Sequence, residues 1–317
     1  MTDKILIIGA CGQLGTELFE SLCQIYGENQ VIASDISDKK SEIFTYFEEL
    51  DVLDTQQLSK IIDEHKITQI YHLAAVLSAT GEKNPKFAWQ LNVQGLLNVL
   101  DAALEKKLQK VFFPSTIAVF GPNTPKNNTP QYTIMDPNTV YGISKQAGER
   151  WCEYYFEKYG LDVRSLRYPG LISYKTPPGG GTTDYAVDIF YKALENQSYT
   201  CFLSENTYLP MMYMPDGVRA TIELMEAPAA KISVRSAYNL SAMSFSPKEI
   251  AEAISKHIPD FDMQYEPDFR QQIADSWASS IDDSVAKQDW GWQPHYDLEK
   301  MTEVMLTNLR KKLLAEV

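Results

Sequence analysis

The chain has 317 residues, 44% of them hydrophobic, and 29 Lys and Arg against 42 Asp and Glu give a formal net charge of −13. That length suits one large or two closely joined domains around a sizeable core. The net negative field repels phosphate and argues against nucleic acid or an anionic membrane as the main partner, and no apolar run approaches the ~20 residues that cross a bilayer.

Ile5-Leu6-Ile7-Ile8 reads as the first strand. Gly9-Ala10-Cys11-Gly12-Gln13-Leu14-Gly15 follows it and opens a helix that carries Leu14, Leu18, Leu22 and Ile25 on one face. A side chain at these glycines would block the backbone from a pyrophosphate or hold the helix off the strand. The helix N-terminus offers free N–H groups and a positive dipole to the anion. The spacing is G-x-x-G-x-x-G, one residue different from G-x-G-x-x-G, and an ordinary tight turn would also use glycines. Val31-Ile32-Ala33 is the second strand, and Asp35 ends it. A carboxylate there accepts hydrogen bonds from an adenosine ribose and repels a 2′-phosphate, so NAD is favoured. Lys39 and Lys40 keep NADP open, and Asp51-Val52, after the third strand, could frame the adenine.

Ile70-Tyr71-His72-Leu73, Val111-Phe112-Phe113 and Val163-Arg164-Ser165-Leu166 continue the series of strands, with a helix over Phe87–Leu104 between the first two. Strands alternating with helices of this length imply an α/β architecture, a doubly wound parallel sheet covered on both faces. Ser115-Thr116 lie at the C-terminal edge, where open α/β sheets bind ligands, and a hydroxyl there could hold a substrate oxygen. Tyr141-Gly142-Ile143-Ser144-Lys145 begins a helix running to about Tyr159, and residues four apart share a helical face. A tyrosine acting as base near pH 7 needs its pKa lowered by about three units, and a neighbouring cation favours the phenolate. Y-x-x-x-K by itself fits an ordinary surface pair; the glycine turn, the acid and the strand-end hydroxyls supply its context.

After about residue 170 the pattern loosens. Tyr174–Thr183, with Pro177-Pro178-Gly179-Gly180-Gly181, is a loop. Ser246-Pro247-Lys248-Glu249 starts a helix with Ile250, Ile254 and Ile258 at four-residue spacing, and a last helix covers about Leu298–Leu314. The expected division is a dinucleotide-binding domain over 1–170 and a smaller C-terminal α/β substrate lobe over 171–317, partly interleaved. The loops Pro122–Pro137 and Tyr174–Thr183 flank Tyr141 in sequence and are expected to behave as lids. Cys11, Cys23, Cys152 and Cys201 form neither a C-x-x-C pair nor a disulfide framework, and His65, His72, His257 and His295 lack metal-ligand spacing. No metal and a cytoplasmic, reducing location are expected, since no signal-peptide apolar region is found. Trp151, Tyr155 and Tyr159 form an aromatic stripe that either packs internally or makes an interface.

The set Gly9/Gly12/Gly15, Asp35, His72-Leu73-Ala74-Ala75, Asn92-Val93-Gln94-Gly95, Ser115-Thr116, Tyr141/Lys145 and Tyr168-Pro169-Gly170 resembles the extended short-chain dehydrogenase/reductase family over roughly the first 170 residues. The resemblance implies a Rossmann domain with NAD across the strand ends, Tyr141 as base, Lys145 on the nicotinamide ribose, and a homodimer through a four-helix interface. The implied cofactor contacts are Gly9, Cys11, Gly12, Gln13, Leu14, Gly15, Asp35, Ile36, Asp51, Val52, Leu73, Ala74, Ala75, Asn92, Tyr141, Lys145, Tyr168 and Leu171. Ser115 and Thr116 would steady the reacting oxygen.

Downstream, Gly179–Ala186, Met211–Asp216 and Ser276-Trp277 resemble the metal-independent L-threonine 3-dehydrogenases of that family. The implied substrate is a small amino acid held by Ser78, Thr116, Tyr141 and Thr182, and the implied reaction is NAD-dependent oxidation of the L-threonine β-hydroxyl to 2-amino-3-oxobutanoate. A nucleotide-sugar 4-epimerase or dehydratase with tightly bound NAD would share every N-terminal motif. Its diphosphate asks for an Arg/Lys cluster, whereas only Lys175, Lys192 and Arg219 lie between Leu171 and Glu226. A non-catalytic NAD-sensing regulator would have no reason to keep Tyr141, Lys145 and the Ser-Thr pair together.

Overall fold

The computed structural model describes residues 3–37, 41–177, 181–196 and 198–315. Its strands are β1 (Ile5–Ile8), β2 (Val31–Asp35), β3 (Phe47–Glu49), β4 (Gln69–His72), β5 (Lys110–Thr116), β6 (Val163–Tyr168), β7 (Gly170–Ile172), β8 (Ser198–Cys201), β9 (Leu209–Tyr213), β10 (Tyr238–Asn239), β11 (Met243–Phe245) and β12 (Asp262–Tyr265). The helices are α1 (Gln13–Tyr26), α2 (Thr55–His65), α3 (Ser78–Lys83), α4 (Pro85–Trp89), α5 (Gly95–Glu105), α6 (Val140–Tyr159), α7 (Tyr185–Asn196), α8 (Met214–Glu226), α9 (Pro247–Ser255), α10 (Arg270–Ser276), α11 (Ser284–Trp290) and α12 (Leu298–Ala315).

Seven strands form one sheet in the order β3-β2-β1-β4-β5-β6-β10, and every neighbouring pair is parallel. This is a doubly wound, Rossmann-like sheet, and its central strands are apolar on both faces because helices cover both. In β1, Ile5 and Ile7 join Leu18, Leu22 and Leu224 on the side of α1 and α8. Leu6 and Ile8 join Leu58, Ile61, Val99 and Leu100 on the side of α2 and α5. Period-two alternation explains that division. A third core, with Phe190, Met211, Phe245, Ile254 and Met305, lies in the C-terminal part around the three-stranded sheet β11-β9-β7.

Local chemistry sets the helix starts. Asp54 caps α2 by accepting from the Gln56 and Gln57 amides. Ser246 and Glu249 complete the capping box anticipated for α9. Helix α4 passes through a π-helical segment, Gln90–Gln94, into α5, so the helix expected over Phe87–Leu104 is one rod with a wide turn in its middle.

Two features bind the C-terminal half to the first sheet. β10 pairs with β6, Tyr238 opposite Leu166 and Asn239 opposite Arg167. Arg164 on β6 donates to the Leu224, Met225 and Ala227 carbonyls at 2.6, 3.0 and 2.6 Å, which satisfies the last turn of α8. Among the described residues, no helix is long and apolar enough to cross a membrane, and no cluster of His, Cys, Asp or Glu could hold a metal ion.

Candidate active site

The turn from β1 into α1 is built by two glycines that tolerate no side chain. Gly9 has φ +87°, and a Cβ on it would stand 2.6 Å from the Ala74 nitrogen. A Cβ on Gly15 would stand 2.6 Å from the Gly9 oxygen and 2.7 Å from the Ala10 Cα, so glycine lets α1 seat against β1. Gly12 differs: its Cβ would meet only the Gly9 oxygen, at 3.4 Å. As N-cap of α1 it supplies no side-chain cap, which leaves the first-turn amides open to an anion. The Asp35 carboxylate accepts from the Cys11 amide at 3.0 Å and so braces the turn from the end of β2.

A cavity of about 460 Å³ lies over the C-terminal ends of β1, β4 and β5. Its lining runs from the glycine turn (Gly9, Cys11, Gly12, Gln13, Leu14, Gly15) past Leu73, Ala75 and Ser78 to Thr116, Tyr141 and Lys145, and on to Tyr168, Leu171, Thr182 and Trp277. A side-chain-free phosphate cradle, open helix amides and a strand-end carboxylate fit a dinucleotide. When bound, NAD supplies the hydride acceptor. Gln13 Nε2 donates to the Pro177 carbonyl at 2.7 Å, which joins the glycine turn to the loop that follows β7.

Other anticipated cofactor residues are not part of this lining. Ile36 is exposed at 63% and Val52 is buried. Asp51 accepts from the Leu53 amide at 2.9 Å. The Ala74 backbone stands against Gly9. Asn92, within the π-helical turn, accepts from the Val76 amide at 2.8 Å and donates to the Val76 carbonyl and the Ser144 hydroxyl, each at 3.0 Å. It therefore fastens the β4–α3 connection to α6 from behind the cavity. Lys39, Lys40, Gly179 and Gly180 lie outside the described residues.

Tyr141 and Lys145 face the same cavity from the first turns of α6, whose N-cap Thr139 accepts from the Gly142 amide. Thr116 lines the cavity together with Tyr141, and its hydroxyl accepts from the Ala118 amide at 3.2 Å. Lys145 Nζ donates to the Pro114 carbonyl at 2.8 Å, sits 4.5 Å from the centre of the Phe113 ring and lies 5.8 Å from the centre of the Tyr141 ring. Burial pushes the phenol up to about 12, and the Thr116 hydroxyl partly opposes it. Burial pushes the Lys145 amine down to about 7. Desolvation is thus the largest influence on both groups.

Ser115 lines the same cavity, and its hydroxyl donates to Glu149 Oε1 at 2.6 Å. Thr116 follows it on the lining, with Tyr141. Thr182 Oγ1 is buried with no hydrogen-bond partner among the described residues, and Thr182 lines the cavity. The loop Pro122–Pro137 is no free lid: Lys126 donates to the Asp275 and Trp277 carbonyls at 2.8 and 2.9 Å, and Thr129 exchanges backbone bonds with Ser280 and Asp282. Pro114, Met214 and Asp184 line the cavity without having been singled out. Glu149 was also missed, although its place eight residues after Tyr141 puts it on the same helical face.

A family model described as the NAD dependent epimerase/dehydratase family matches residues 5–241. An uncharacterized epimerase/dehydratase of Staphylococcus saprophyticus is 51% identical over 318 residues, covering 99% of each chain. The holo structure of a GalE-like L-threonine dehydrogenase from Cupriavidus necator superposes with a TM-score of 0.95 at 57% identity, over 96% of this chain and 99% of that one. A monomeric L-threonine 3-dehydrogenase from a metagenome, in apo form, has a TM-score of 0.94 at 51% identity, over 97% and 99%. This chain belongs to the NAD-dependent epimerase/dehydratase family, the extended short-chain dehydrogenase/reductases, and is an NAD-dependent enzyme.

Proposed function

We propose that the chain oxidises L-threonine at its β-hydroxyl to 2-amino-3-oxobutanoate. The observation that supports this reading is that Thr116, Tyr141 and Thr182, whose hydroxyl has no partner among the described residues, line one cavity beside the glycine turn. Tyr141 takes the β-hydroxyl proton, Thr116 orients the reacting oxygen, and Lys145 holds the site's charge from behind. Thr182 and Ser78 bind the polar end of the amino acid. Asp184, the one carboxylate on the lining among the described residues, suits its ammonium.

The charge inventory favours this substrate over a nucleotide sugar. Lys145 is the one cation on the described lining. Lys175, Lys192 and Arg219 are held by Glu20, by Glu195 and by Asp216 with Glu223, so none stands ready for a diphosphate. In this reading residues 1–170 hold the cofactor, residues 171–317 mainly shape the substrate side, and the chain works as a homodimer inside the cell.

The test is absorbance at 340 nm with NAD or NADP and L-threonine, allo-threonine, serine or 3-hydroxybutyrate. Threonine with NAD should give the largest signal. Thr182→Val should raise the KM for threonine about tenfold, the scale of one lost hydrogen bond. No signal with any of these alcohols, together with conversion of a UDP-sugar, would replace the proposal by an epimerase.

A further inference from the structure

Three consecutive residues of β5 lie along the catalytic helix, and two of them are bonded to it. The Pro114 carbonyl accepts from Lys145 at 2.8 Å. Next to it, Ser115 donates to Glu149 at 2.6 Å. Thr116 lines the cavity with Tyr141. Tyr141, Lys145 and Glu149 are spaced i, i+4, i+8 and share one face of α6. The strand and the helix therefore meet at three rungs, hydrogen-bonded at Lys145 and at Glu149.

The third rung is the most heavily fixed. Glu149 is fully buried and is gripped by Arg167 on β6, Nε to Oε1 at 2.9 Å and Nη2 to Oε2 at 2.8 Å. Arg167 Nη1 in turn donates to the Gln131 carbonyl and to Asn239 Oδ1, both at 3.0 Å. Both charges are out of water, yet both are saturated with hydrogen bonds. A fork-to-fork guanidinium–carboxylate pair of this kind fixes orientation more than it adds stability. Ser115 is the single side chain through which that rigid pair takes hold of β5.

We propose that Ser115, Glu149 and Arg167 form a buried clamp that sets the register of Thr116 and Pro114 on Tyr141 and Lys145, so that Ser115 and Glu149 are positioning residues for proton abstraction. The proposal rests on Tyr141 being the base, as above. β5 is fixed by its ladders to β4 and β6. Without the Ser115 bond it is therefore α6 that loses a tie and shifts against the strand by a fraction of an ångström, and misplacement on that scale weakens a reaction that depends on alignment. The Thr116 hydroxyl favours the ionised phenol, so drawing the phenol away from it moves Tyr141 ionisation to higher pH.

Ser115→Ala is the deciding variant, because it removes one hydroxyl and leaves the Glu149–Arg167 pair intact. With NAD and L-threonine, kcat is expected to fall about tenfold or more with the KM for NAD unchanged, and the acid limb of the kcat profile to move about half a unit or more to alkaline pH. Glu149→Gln should do the same more strongly. A second readout is independent of turnover: NMR of lysine labelled at Cε, with Lys145 identified by Lys145→Arg, should show its titration displaced in Ser115→Ala relative to the parent chain. A Ser115→Ala protein with lowered Tm but unchanged kcat, acid limb and Lys145 titration would reduce the clamp to plain structure and overturn the proposal. If the parent chain fails to oxidise threonine, the substrate reading falls and the Lys145 titration still decides the clamp.

Discussion

The Lys145 ammonium stands 5.8 Å from the centre of the Tyr141 ring and donates a hydrogen bond to the Pro114 carbonyl. Burial then governs both groups, lifting the phenol to about 12 and lowering the amine to about 7. Positive charge brought into the cavity would favour the phenolate against this burial.

Turnover should accordingly climb with pH across the neutral range. Tyr141→Phe should keep NAD affinity, measured by calorimetry, and lose at least ~10² in kcat, the scale for a positioned base. A variant that turns over like the parent would remove Tyr141 from the chemistry.

Lys145 carries a stability cost with a defined pH window. Its folded pKa, about 7, lies below the ordinary 10.5. The folded state thus prefers the neutral amine, and stability present above the ordinary value is lost as pH falls towards 7. Lys145→Met should be inactive yet more stable at pH 7 by about 1–3 kcal/mol in urea unfolding, with the gain shrinking towards pH ~10. Equal stability of the two proteins across that range would contradict the assignment.

The glycines of the turn should separate by role. Gly15→Ala forces contacts of 2.6 and 2.7 Å with the backbone of Gly9 and Ala10, so it should lower Tm and NAD binding together. Gly12→Ala meets nothing closer than 3.4 Å; it should leave Tm within about 2 °C and weaken NAD about tenfold by filling the cradle. Loss of Tm in Gly12→Ala would place its side chain against protein instead of cofactor.

Trp151, Tyr154 and Tyr159 on α6 are exposed at 38, 41 and 52%, and Phe87 and Trp89 on α4 at 44 and 45%. We expect these exposed aromatics to meet a second copy of the chain. Light scattering at micromolar concentration should give a dimer mass, shifted to the monomer by Trp151→Glu. A monomer mass for the parent chain would match the monomeric metagenome relative and end the dimer proposal.

Much of the site was legible because its motifs are local. The strand–glycine–helix turn and Tyr141/Lys145 each bring their residues together through a few consecutive positions. What stayed hidden depends on distant contacts. Ser115 and Thr116 are equivalent as letters, and only the partner at Glu149, 34 positions away, reveals which hydroxyl is held by a carboxylate. Lys126 reaches carbonyls some 150 positions later, so a loop that looks loose in sequence is tied down. The titrations of Tyr141 and Lys145 were not legible because helical spacing shows a neighbouring cation but not the depth of burial.

The pairing of β10 with β6 has a bearing on biosynthesis. As the chain leaves the ribosome, every strand up to β6 is available while the flank of β6 still awaits residues 238–239. Arg164, with 1% of its side chain exposed, meanwhile lacks the carbonyls at the end of α8. Nascent chains halted near residue 170 would carry a raw strand border and an Arg164 guanidinium held by Asp162 alone, and the open border invites aggregation. The nucleotide-binding half is finished only by the half that follows it, and a gene cut at the apparent boundary would yield neither.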